Sequence, residues 1–258
     1  MRRHLHAEWT KLRTMPGPGW LLLAIILMTV AMGAAATATA SCPPMGCRHD
    51  TAKLSLMGVQ VGQAFVTILA VLALSGEYST GMIRTTLAAM PRRTTVLAAK
   101  AIMLTGLTLA AGTIAVLASI LTARLTLPSN GLTPAHGYPL LSLTDGPTLR
   151  AAAGSVLYLA LIALLSLGVA AAVRDSASSI GVVFGLLYVL PVLPSVISDP
   201  NWQKVLWQIS PMNAGLAIQA TINLPSLPLS PWTGLGVLTA WAATALLGGG
   251  LLLRLRDT

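Results

Sequence analysis

Six long apolar runs, separated by polar segments, set the pattern of this chain. They fall at about 20–40, 57–75, 96–121, 151–173, 179–197 and 232–253. Their lengths suit the roughly 20 residues a helix needs to cross a bilayer core. The expected fold is therefore an all-α integral membrane protein, with one domain of six transmembrane helices over residues 1–258.

The polar segments carry patterns of their own. Residues 2–14 place Leu5, Trp9 and Leu12 at helical spacing, with Glu8, Lys11 and Arg13 among them. This predicts an interfacial helix within residues 1–19, broken before the first span by Pro16-Gly-Pro-Gly19. A simple basic anchor fits the same residues. Between spans two and three, Met82, Ile83, Leu87 and Met90 form an apolar stripe. Glu77, Gly81, Arg84 and Ala88 share the opposite face. Pro91 ends that helix, and Arg92, Arg93 and Lys100 are expected to reach the anionic leaflet, Lys100 by snorkelling from the first turn of span three. Before span six, residues 202–208 and 213–222 are too short to span and predict interfacial or re-entrant helices.

Composition agrees with the membrane reading. Hydrophobic residues make up 55% of the chain and charged residues 9%, too little charge for a soluble surface. A formal charge of +9 invites a nucleic-acid partner, but the basic residues are not gathered on one face with aromatics. They sort by side instead. With the N-terminus inside, Arg2, Arg3, Lys11, Arg13, Arg84, Arg92, Arg93, Lys100, Arg174, Arg254 and Arg256 lie inside, against Arg48, Lys53, Arg124, Arg150 and Lys204 outside. That bias predicts cytoplasmic termini, with Trp20 and Trp232 marking opposite interfaces. The start also fits a cleaved leader ending at Ala38-Thr-Ala40. Glu8, Trp9 and Pro16 before the apolar run favour retention.

Candidate chemistry is sparse. Every histidine and every acid lies outside the spans, with Glu77 at the edge of span two. Proton-coupled carriers need such groups inside the membrane, and hydrolases need one to activate a nucleophile. No catalytic residue is expected, and no Walker loop is present. The outer Cys42–Cys47 pair, beside His49 and Asp50, fits a small disulfide loop, free thiols or, at an unrecognised spacing, a metal site.

Gly76-Glu77-Tyr78-x-x-Gly81-Met82-Ile83-Arg84-x-x-Leu87, followed by Pro91-Arg92-Arg93 and Lys100, resembles the permease subunits of type-2 ABC exporters. Glu8, Lys11, Leu12, Arg13 and Thr14 match their common start, and Ser210-Pro211-Met-Asn213-Ala-Gly215 resembles their stretch before the last span. Met82 stands where Thr is commoner.

The resemblance implies a coupling helix from Glu77 to Met90, seated in a separate ATPase subunit, with Glu77 and Arg84 as polar anchors and Tyr78, Gly81, Met82, Ile83 and Leu87 around them. The N-terminal helix would brace it, and Trp202, Trp207, Pro211 and Asn213 would belong to an outer gate. ATP and Mg would bind in the partner, and this chain would hold no cofactor. A second permease copy or a paralogue would complete the pathway in a bacterial inner membrane. The Ala/Leu/Val-rich spans fit an apolar or amphiphilic cargo such as a drug, antibiotic or lipid, and a narrow polar path lined by Thr and Ser fits them too. The competing expectations are an ion-coupled secondary carrier and a non-transporting sensor or immunity factor.

Overall fold

A computed structural model describes residues 16–40, 50–79, 93–130, 132 and 141–255. Among them the regular structure is helical, without strands. The helices are α1 Pro16–Thr39, α2 Thr51–Ser55, α3 Val59–Ser79, α4 Arg93–Thr126, α5 Gly146–Val173, α6 Ser176–Phe184, α7 Pro200–Ile209, α8 Pro211–Leu216 and α9 Pro231–Leu255. α6 runs on through a π-helical turn at Gly185–Val189, a 3-10 turn at Leu190–Val192 and a last α-turn at Leu193–Val196.

Six stretches are long and apolar enough to cross a bilayer: Gly17–Thr39, Val59–Gly76, Thr95–Thr126, Gly146–Val173, Ser176–Val196 and Pro231–Leu253. This is a multi-pass membrane protein. The stretches overlay the six expected runs, with one difference around the loop between spans three and four. α4 continues to Thr126, and α5 begins at Gly146. Arg124 and Arg150, which read as loop residues, stand inside helix ends. Pro147 in the first turn of α5 explains the early start, because an opening turn needs no proline N–H.

Chain direction gives the bundle two ends. α1 starts, α3 ends, α4 starts, α5 meets α6 and α9 finishes at one of them, here the near end. The loops around 40–50, 127–145 and 197–230 lie at the far end. α3 and α5 both run from far to near, so they are parallel neighbours. Their side chains meet in matching order, Gln63 with Tyr158 and then Thr67 with Ser166.

α5 is the central helix. Of its apolar window, 61% is buried, against 56% for α3 and 22% for α1, span five and α9. α3, α4, α6 and α9 pack around α5, while α1 rests on α3 and α4. Lipid tails are as apolar as leucine, so such helices are held by close packing. Two glycines show how close. A Cβ on Gly58 would lie 1.8 Å from the Thr29 carbonyl oxygen, and one on Gly168 2.4 Å from the carbonyl carbon of Ala245. α1 and α9 are thus pressed into the bundle backbone to backbone.

Span five departs from a regular α-helix around Pro191. Pro191 has no N–H, and its ring crowds the carbonyl four residues earlier. The π-turn before it and the 3-10 turn around it absorb that conflict.

Candidate functional site

The chemistry-bearing residues gather at the two ends of α3. At the near end, α3 stays helical through Glu77 and Tyr78 to Ser79. The Arg174 guanidinium stands over the Tyr78 ring, 5.7 Å from its centroid, a cation–π contact. Arg174 closes α5 in the left-handed region (φ 66°), and its amide donates to the Ala170 carbonyl at 2.9 Å. A side chain in that conformation costs about 1–2 kcal/mol, which glycine would avoid. Asp175 then caps α6, accepting from the Ser178 amide at 2.7 Å, and that bond holds its carboxyl below the usual carboxylate range. Ser176 Oγ donates to Ser75 Oγ at 2.7 Å.

Lys100 is placed differently from expectation. α4 begins at Arg93, which sets Lys100 two turns inside the helix. It is 3% exposed, and its Nζ donates to the Ala73 carbonyl of α3 at 2.8 Å. This bond ties α4 to α3. Together, Lys100, Ser176 and Arg174 fasten the end of α3 to α4 and to the α5–α6 junction.

At the far end, α7 and α8 share Ser210, which ends the first and caps the second by accepting from Asn213 N at 3.4 Å. α8 enters the bundle. Pro211, Ala214 and Ile218 beyond it are buried, and a Cβ on Gly215 would lie 2.6 Å from the Tyr158 ring. Tyr158 is 12 residues into α5, about 18 Å along it at 1.5 Å per residue. Asn213 Nδ2 donates to the Pro191 carbonyl at 3.4 Å, joining α8 to the irregular part of span five.

A buried polar seam lies beneath. Tyr158 donates its hydroxyl hydrogen to Gln63 Oε1, and Gln63 Nε2 donates to Met212 Sδ at 3.4 Å. Gln219 donates to Ser155 Oγ at 3.0 Å and to the Leu56 carbonyl at 3.4 Å. Two charged groups close the rim. Asp50 accepts from Thr221 N at 2.6 Å, Thr221 Oγ1 at 2.7 Å and Ile222 N at 3.3 Å, while capping α2 through Lys53 N at 3.0 Å. Arg150 donates to the Ala220 carbonyl at 2.6 Å.

Of the expected site residues, Tyr78 and Lys100 meet the near-end joint, and Pro211 and Asn213 the far-end pack. Trp207 is half-buried, but Trp202 is 60% exposed on α7 and stands apart. Gly81, Met82, Ile83, Arg84, Leu87 and Arg92 lie outside the described residues, as do Glu8, Trp9, Lys11, Leu12, Arg13, Cys42 and Cys47. Glu77 and Arg93 are placed by their backbone alone.

Arg174, Ser75, Ser176, Gln63, Tyr158, Gln219, Asp50 and Arg150 were not singled out for these roles by sequence. Lone amides in apolar surroundings, Gln63 and Gln219, were the readable signal, since a membrane interior demands a partner for each. Among the described residues no group of three or more His, Cys, Asp or Glu assembles as a metal site. The seam is built of amides, hydroxyls and a thioether bonded to one another, an arrangement that positions helices. No family model matches this chain, and no curated protein matches it.

Proposed function

We propose that the chain is the permease subunit of an ATP-driven exporter, worked by a separate ATPase at the near end. In this reading the near end is cytoplasmic, the membrane is the bacterial inner membrane, and residues 77–90 are the coupling helix. The observation that carries the proposal is the near-end joint. A push on the segment between α3 and α4 would reach α4 through Lys100 and the α5–α6 junction through Tyr78 and Arg174. The far end supplies a fitting counterpart, since α8 is a re-entrant plug whose bonds reach α3, span five and, through Gln219, α5. ATP and Mg belong to the partner, a second permease copy or paralogue completes the pathway, and the apolar spans suit an apolar or amphiphilic cargo.

The test is Glu77→Ala with Arg84→Ala in the assembled complex. Cargo-stimulated ATP hydrolysis should fall to the basal rate while the permease stays folded in the membrane. Unchanged stimulation defeats the proposal. An ion-coupled carrier would move cargo in proteoliposomes without the ATPase. The seam offers it little, because the carbonyl and amide of Gln63 are both engaged.

A further inference from the structure

A cleft of about 680 Å³ lies between span five and α9, with α5 as its floor. α9 and the Ser176–Phe184 stretch of span five pack on α5 and scarcely on each other. Leu165 and Val169 form the floor, Gly185, Val189 and Leu193 one wall, and Trp241 part of the other. Thr244 also lines it, but its hydroxyl donates to the Ala240 and Trp241 carbonyls of its own helix, both at 2.9 Å. Trp241 Nε1 is likewise engaged, donating to the Ile209 carbonyl at 2.9 Å. The lining would leave a polar ligand without replacements for its hydration. The volume lies within the roughly 300–1,000 Å³ of small-molecule sites. Its walls are membrane-crossing stretches, so hydrocarbon faces its opening.

α7 bridges the far end of the cleft. It is tied to span five by Gln203 Nε2, which donates to the Ile197 carbonyl at 2.6 Å, and to α9 by Trp241. Gln208 Nε2 also turns inward, donating to the Pro228 carbonyl at 2.9 Å. The apolar stripe faces out instead: Trp202, Val205 and Ile209 are 60%, 43% and 46% exposed. A helix at a bundle end with its apolar stripe outward suits the headgroup boundary, where tryptophan is favoured.

We infer that the cleft holds one acyl chain of a bilayer phospholipid, with its headgroup beside α7, and that this chain steadies the α7–α8 pair. The inference stands whether or not the protein is an export subunit. A chain in the cleft touches Trp241, which holds Ile209 at the end of α7. It also touches Leu190 and Leu193, which flank the Pro191 carbonyl that holds Asn213 of α8. With no hydrophobic force between protein and lipid tails, the gain is van der Waals contact along a groove otherwise poorly filled.

The experiment titrates the full chain in detergent with lysophosphatidylcholine and counts retained lipid by native mass spectrometry. One lipid should be retained. Gly185→Phe should weaken retention about tenfold, the effect of losing on the order of ten van der Waals atom contacts. Gly181→Phe is the matched control, since a side chain there also meets open space but lines no part of the cleft. Hydrogen exchange of residues 211–219 should slow on lipid addition in the wild type and in Gly181→Phe, but not in Gly185→Phe. If Gly185→Phe does not fold, Val182→Trp on the same wall should give the same loss. Equal retention by the wild type and a folded cleft variant overturns the inference. So does a covalent dimer through Val189→Cys with no lipid retained, which assigns the cleft to a second copy of the chain.

Discussion

The two ends of the bundle are fastened in different ways. At the far end, Asp50, Arg150, Gln219 and Asn213 bond across the chain to backbone groups 22 to 172 residues away. The partners there are backbone carbonyls and amides. At the near end, the joints described are side chains reaching across: an ammonium on one carbonyl, a guanidinium over a ring, two hydroxyls together. The far-end ties run from side chain to backbone, whereas two of the three near-end ties run from side chain to side chain.

Substitutions at each end sharpen that contrast. Asp50→Ala should have the largest effect on stability. It removes a helix cap and leaves the amides of Thr221 and Ile222 unpaired, at a cost of about 3 kcal/mol, read by unfolding in detergent. A loss no larger than that of an exposed threonine would break the comparison.

Arg174→Gly tests the other end. Relief of the left-handed strain, about 1–2 kcal/mol, opposes the loss of the guanidinium's contacts, the cation–π contact among them. On the proposed export reading, cargo-stimulated hydrolysis in the complex should drop severalfold, well beyond any change in stability, and Arg174→Lys should restore part of it. A stability loss matching the activity loss would make Arg174 an ordinary brace.

Asp175→Asn should give the smallest effect. The folded carboxyl is held below its ordinary range by the Ser178 amide, so its contribution is present above that range and is lost as pH falls through the folded value. The gap in melting temperature between wild type and Asp175→Asn should be constant near neutrality and close as pH falls through the folded carboxyl's lowered range. A gap that widens on acidification reverses the sign.

Much of this architecture was legible. Long apolar runs located all six spans, because crossing a bilayer is chiefly a matter of length and hydropathy. The ends were harder: Arg124 and Arg150 read as loop residues, yet a long basic side chain can sit on a helix and still reach a polar partner, as Arg150 does at Ala220. Lys100 was misjudged for a related reason. Hydropathy registers its charge but not the Ala73 carbonyl waiting on a neighbouring helix. α8 read as interfacial or re-entrant because it is short, and Gly215 marks the close approach to Tyr158 that lets it enter the bundle. Most of the segment that resembles a coupling helix lies outside the described residues, so the near-end reading leans on its flanks.

The parallel pairing of α3 with α5 bears on how the protein is made. Gln63 belongs to the second span, but its partners Tyr158 and Met212 come 95 and 149 residues later in the chain. During synthesis its amide therefore enters the membrane well before either partner exists. Water, lipid carbonyls or an insertase must host it until the fourth span arrives. Biogenesis, more than the finished bundle, is where this glutamine is costly.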